Sequence, residues 1–121
     1  MTHPNPHNPE GRVERPWGWF ETLASGAQYR VKRLLIHSGQ RLSLQRHQHR
    51  SEHWVVVSGT GELQVADAVL AATPGTTVFI PAGAIHRARG GSNDLEIVEV
   101  QRGTWLSETD IERLADDFGR L

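Results

Sequence analysis

The sequence predicts an all-β sandwich or barrel followed by one short α-helix. Two observations carry the prediction. From Trp17 onward, short apolar-rich segments are punctuated by turn signals at Ser25-Gly26, Ser38-Gly39, Ser58-Gly59, Thr73-Pro74-Gly75, Pro81-Ala82-Gly83 and Gly90-Gly91-Ser92-Asn93. A turn about every 8–12 residues is the rhythm of antiparallel strands in sandwiches and barrels. After Trp105 the pattern changes to a helix signature: a capping box over Ser107-Glu108-Thr109-Asp110, then apolar Ile111, Leu114, Ala115 and Phe118, with Gly119 as a stop.

Taken in order, residues 1–15 hold three of the six prolines and almost nothing apolar, so they predict a flexible tail ahead of a single domain over residues 16–121. The turn signals then bound strands over Gly18–Leu23, Gln28–His37, Arg41–His47, His53–Ser58, Gly61–Ala66, Ala68–Ala72, Thr76–Ile80, His86–Arg89 and Asp94–Gln101. The helix closes the chain and is expected to pack a sheet edge.

At 121 residues and 13.5 kDa the chain has the size of one domain. Its formal net charge of −1 offers no global field for nucleic acid or an anionic membrane, so neither is an expected partner. The absence of cysteine excludes disulfides, thiolate metal sites and a Cys nucleophile. No apolar run approaches the ~18 residues of a membrane span, and Met1-Thr2-His3-Pro4 does not begin a secretory signal, so a cytoplasmic location is expected. Seven histidines are the lopsided count.

If Arg41–His47 is a regular strand continued to His49, then Arg41, Ser43, Gln45, His47 and His49 share one face and Leu42 and Leu44 the other. Two imidazoles at i and i+2 can reach one divalent cation. Glu52 and His53 follow, offering a carboxylate and a third imidazole. A rigid turn at Pro81-Ala82-Gly83 then delivers the isolated His86.

These stretches resemble the two motifs of the cupin superfamily. Gly39 … His47-x-His49 … Glu52-x6-Gly59 is similar to the first, and Gly75-x5-Pro81-x-Gly83-x2-His86 matches the second without a gap. The first departs from the common pattern, with seven residues rather than five between Gly39 and His47 and only two between His49 and Glu52. Counting back from Gly59 selects Glu52 as third ligand, the preferred choice, whereas counting forward from His49 selects His53. More narrowly, Arg15-Pro16-Trp17-Gly18, Tyr29 to Arg33, Leu42 to Thr60, Ile80 to Gly83 and Glu99-Val100-Gln101 resemble the C-terminal cupin domain of type II phosphomannose isomerases. That domain is often fused to a mannose-1-phosphate guanylyltransferase, a part with no counterpart in these residues.

The resemblance implies a cupin double-stranded β-helix, a jelly-roll barrel, holding one divalent metal ion (Zn, Mn, Ni, Co or Fe) on His47, His49, Glu52 and His86. The implied activity is interconversion of mannose 6-phosphate and fructose 6-phosphate, with a phosphorylated hexose as small-molecule partner; a homodimer is expected separately, because a small barrel with edge strands and a mobile tail often pairs through them. No motif hands over the proton-transfer group. Glu99 and Lys32 are the candidates for catalysis; Arg41, whose guanidinium suits a phosphoryl group, and Gln45 are the candidates for substrate binding, with Lys32 as the second choice after Arg41 for receiving the phosphate. Two other readings stand beside this one: a sugar-binding or regulatory cupin without catalysis, and a metal-dependent dioxygenase.

Overall fold

The structure, a computed structural model, describes residues 11–121. The chain runs through β1 (Val13–Arg15), β2 (Gly18–Ser25), β3 (Tyr29–Ile36), β4 (Leu44–Arg46), β5 (Ser51–Ser58), β6 (Gly61–Val65), β7 (Ala68–Ala72), β8 (Thr77–Ile80), β9 (His86–Gly90), β10 (Leu95–Arg102) and β11 (Glu112–Ala115). Two antiparallel sheets face each other, one in the order β1-β2-β3-β10-β5-β8 and one in the order β11-β4-β9-β6-β7.

Strand alternation explains why this barrel has one apolar end and one polar end. The inward positions of β10 are Leu95, Ile97, Glu99 and Gln101, all buried. Their partners follow the same gradient. On β3, Ile36 pairs with Leu95, Leu34 with Ile97 and Lys32 with Glu99. On β5, Val56 pairs with Ile97, Trp54 with Glu99 and Glu52 with Gln101. Adding Leu63, Ala72 and Ala88 from the second sheet gives the hydrophobic core, while Lys32, Glu52, Glu99 and Gln101 turn the other end into a polar cavity.

The turns follow from the punctuating glycines. Gly59, between β5 and β6, has φ +84, and a Cβ there would meet the Asp94 carbonyl oxygen at 1.8 Å. Any other residue is excluded twice, by conformation and by space.

Two expectations are corrected. The expected tail reached Arg15; residues 1–10 lie outside the described residues, but Val13–Arg15 form an edge strand on β2. Backbone pairing with β2 sets its register, and two cations flank it, with Arg12 stacked 3.9 Å above the Trp19 ring and Arg15 5.2 Å from that of Phe20. The expected C-terminal helix is absent: among the described residues there is none, and β11 pairs antiparallel with β4 instead. An isolated helix of two turns is marginal, whereas β4 has backbone groups on its open side that a strand can satisfy. Glu112 reinforces the pairing by accepting two hydrogen bonds from Arg46, at 2.9 and 3.1 Å. The capping box is a turn in which the Asp110 amide donates to the Ser107 carbonyl at 3.1 Å, while the Asp110 carboxylate turns away and accepts from the amides of Gln48 (3.0 Å) and His49 (2.9 Å).

Candidate metal centre

Three side chains from separate strands and loops meet at the polar end. His47, Glu52 and His86 are buried, and one potential ligand atom from each lies within 4.8 Å of the others. The His47 Nδ1–H donates to the Asp110 carbonyl at 2.7 Å, and the His86 Nδ1–H to the Ala84 carbonyl at 2.9 Å. A carbonyl can only accept, so both rings carry their lone pair on Nε2. These nitrogens face Glu52, at 3.3 Å from Oε2 for His47 and 3.8 Å from Oε1 for His86.

Burial and the neighbouring Arg50 charge push the His47 imidazole down to about 4; burial lowers His86 as well. Both rings are therefore neutral and able to ligate at neutral pH. The Nε2 of His86 is buried without a hydrogen-bond partner, a cost that a cation at this point would remove. Two imidazoles oriented by carbonyl acceptors and a buried carboxylate are the donor set of a first-row divalent ion.

Glu99 lies beside this group. Its Oε1 accepts from Gln101 Nε2 at 2.7 Å, and its Oε2 from Trp54 Nε1 at 3.2 Å. The same Trp54 N–H reaches Glu52 Oε1 at 3.0 Å, so one indole bridges two carboxylates. Burial, aided by the Glu52 charge, pushes Glu99 up to about 7 despite the opposing charges of Lys32 and Arg50. Its acid and base forms both lie within reach of neutral pH.

Of the expected ligands, the structure brings together His47, Glu52 and His86, and it selects Glu52 over His53, which is exposed and stacks on Phe79 at 4.7 Å between ring centroids. It does not bring in His49. The chain leaves β4 after Arg46 and bends over 47–50, so the alternation that put His49 beside His47 stops, and His49 is exposed against Trp105. Gln45 is the Cα partner of His86 across β4 and β9 and lines the same cavity. Five residues separate Gly39 from Gln45, so the first motif keeps its usual spacing with glutamine at the position expected for its first histidine.

Arg41 is also displaced. Leu42 and Ser43 are buried in succession, which breaks the strand parity, and Arg41 instead donates to Asp117 at 2.7 and 2.8 Å on the outer surface. It does not line this cavity, where a phosphate ligand was expected. Lys32, in contrast, lines it, with its ammonium 4.1 Å above the Phe20 ring and paired to Glu108.

Strand parity missed Arg50, because the residue sits in the bend. Its Nε donates to Glu52 Oε2 at 2.8 Å and its Nη2 to His47 Nε2 at 3.2 Å. Its place between His49 and Glu52 was the signal available.

The family model described as mannose-6-phosphate isomerase C-terminal matches residues 4–116. The chain is 46% identical over 110 residues to the xanthan biosynthesis protein XanB of Xanthomonas campestris pv. campestris strain B100, covering 90% of this chain and 24% of that protein. It is 46% identical over 109 residues to the alginate biosynthesis protein AlgA of Pseudomonas aeruginosa PAO1, covering 89% and 23%. The chain thus spans about a quarter of the length of these curated relatives. A cupin-2 domain protein from Rhodospirillum rubrum superposes with a TM-score of 0.66 at 24% identity, covering 78% of this chain and 68% of that one.

Proposed function

Because the chain belongs to the mannose-6-phosphate isomerase C-terminal family, with the cupin fold, we propose that it is a metal-dependent isomerase interconverting mannose 6-phosphate and fructose 6-phosphate. The observation that carries the reading is the placement of a carboxylate poised near neutrality, Glu99, next to a buried two-histidine, one-carboxylate group. His47, Glu52 and His86 would hold the ion, and Gln45 offers an amide oxygen as a fourth donor. A divalent ion there supplies charge stabilisation for an oxygen that becomes negative during enolisation.

The chain's own residues account for the proton movements. As carboxylate, Glu99 takes the proton from C2 of the open-chain aldose; the C–H electron pair becomes the C1–C2 double bond, and the carbonyl pair moves to O1. Glu99 then returns the proton to C1 while the O2 hydroxyl proton passes to O1, which leaves the ketose. Trp54 and Gln101 hold the two Glu99 oxygens by hydrogen bonds.

The test is turnover of mannose 6-phosphate in deuterated water by metal-loaded protein, together with metal analysis. The expected result is fructose 6-phosphate formation that is lost on chelation and in Glu99→Gln. Sugar binding without isomerisation, or exchange unaffected by Glu99→Gln, would overturn the assignment.

A further inference from the structure

Lys32 is a buried ammonium whose ion-pair partner is an unusual one. The carboxylate comes from Glu108, on the turn between β10 and β11; the Glu108 side chain is 52% exposed and that of Lys32 only 5%. By comparison, the Arg50–Glu52 pair is buried on both sides. Arg30, two residues before Lys32 on β3 and so on the same face, approaches Glu108 Oε1 at 4.0 Å. Partial burial raises the Glu108 carboxyl, but the charges of Lys32, Arg50 and Arg30 outweigh it and hold the group below the usual carboxylate range. One exposed carboxylate at the cavity wall is therefore held by the charges of three cations, of which Lys32 and Arg50 line the cavity and Arg30 approaches from beside it.

We propose that Glu108 is a tethered anion occupying the seat of the substrate's phosphate, which displaces it from Lys32 and Arg30 when a phosphorylated sugar binds. This deepens the phosphohexose reading and rests on it. A phosphate carries up to two charges and three acceptor oxygens, and so satisfies an ammonium and guanidinium groups better than one carboxylate does. A neutral hexose brings nothing to replace Glu108 and leaves the pair closed, so the competition from Glu108 acts on phosphorylated ligands alone and sets how tightly they are held.

The displacement needs no loop opening. Next to Glu108, the Ser107 carbonyl accepts from Arg50 at 3.3 Å, and Asp110 is bound through its carboxylate to Gln48 and His49 and through its carbonyl to His47. The backbone stays pinned while one exposed side chain rotates away.

The test is calorimetric binding of inorganic phosphate, fructose 6-phosphate and fructose to the full chain. In Glu108→Gln, which keeps the shape and removes the competing charge, phosphate and fructose 6-phosphate are expected to bind about fivefold tighter, with no gain for fructose. Glu108→Asp, which keeps the charge but withdraws it by one methylene, should fall between. Lys32→Gln should weaken phosphate binding about tenfold or more. Unchanged or weaker phosphate binding in a folded Glu108→Gln protein overturns the proposal, as does an equal gain for fructose. Tighter phosphate binding without turnover of hexose 6-phosphate would leave the seat standing and sink the isomerase reading alone. Turnover with unaltered phosphate binding in the variant would do the reverse.

Discussion

The amide of Gly83 donates a hydrogen bond to the carbonyl of His47 at 2.7 Å. This contact ties the turn that leads into His86 to the backbone of the other histidine of the site. The two imidazoles consequently stand with ring centroids 4.9 Å apart, although 38 residues separate them along the chain. Gly83 has φ +85 and no atom within 4 Å of where a Cβ would be, so its glycine is demanded by conformation alone.

Gly83→Ala is therefore expected to cost about 1–2 kcal/mol of stability through the left-handed backbone, measured by denaturant unfolding. Because the turn positions His86, metal affinity should fall with it. A variant of unchanged stability would show that the turn relaxes freely.

His86→Ala and Glu52→Gln should each reduce metal affinity by more than ~100-fold, beyond the usual cost of losing a supporting residue, with the strand core left intact. Far-UV dichroism and metal analysis after dialysis read the two effects separately. His49→Ala, on the exposed bend, should retain wild-type stoichiometry. Metal loss in His49→Ala would place the ion elsewhere.

Glu99 gives stability a particular pH dependence in the metal-free protein. Its carboxyl sits at about 7 in the fold, against 4.5 when unperturbed. Between these values the unfolded chain releases the proton first, so the folded state binds more protons and stability falls as pH rises. Glu99→Gln should consequently raise the unfolding midpoint above pH 7, give little change below pH 4, and abolish turnover. A variant destabilised equally at both pH values would exclude a buried, unfavourable carboxylate.

Asp116 works in the opposite direction. Hydrogen bonds from the Arg120 guanidinium, at 2.9 Å to each oxygen, and from its amide at 2.7 Å hold the carboxyl down at about 2. The folded state resists protonation, so this contribution is present above the unperturbed value of 3.8 and is lost as pH falls towards 2. Asp116→Asn should lower the thermal midpoint at pH 7 and flatten its decline between pH 4 and 2. Identical acid profiles would remove the pair from the account.

The strand order along the chain was readable because turn residues and two-residue alternation are local properties, and the nine expected strands from β2 to β10 are all present. The same alternation placed Glu99 on the face of Leu95 and Ile97, and the turn chemistry marked His86. Where the chain leaves regular geometry, parity stopped informing: the bend at 47–50 sent His49 outward and Arg50 inward, and the successive burial of Leu42 and Ser43 turned Arg41 away.

By itself the sequence determined a β-rich domain and the residue types able to hold a cation, since periodicity and turn chemistry act between near neighbours. Only the tertiary structure decided which of them meet. The open side of β4 recruited a helix-patterned segment as β11, and in doing so brought Glu108 to the cavity and the Asp110 carbonyl to His47. Glu52 and Glu99 acquired their common bridge through Trp54 only when β5 and β10 paired. Both outcomes depend on backbone groups satisfied across the sheet and on charges removed from water together, and no stretch of chain carries that information alone.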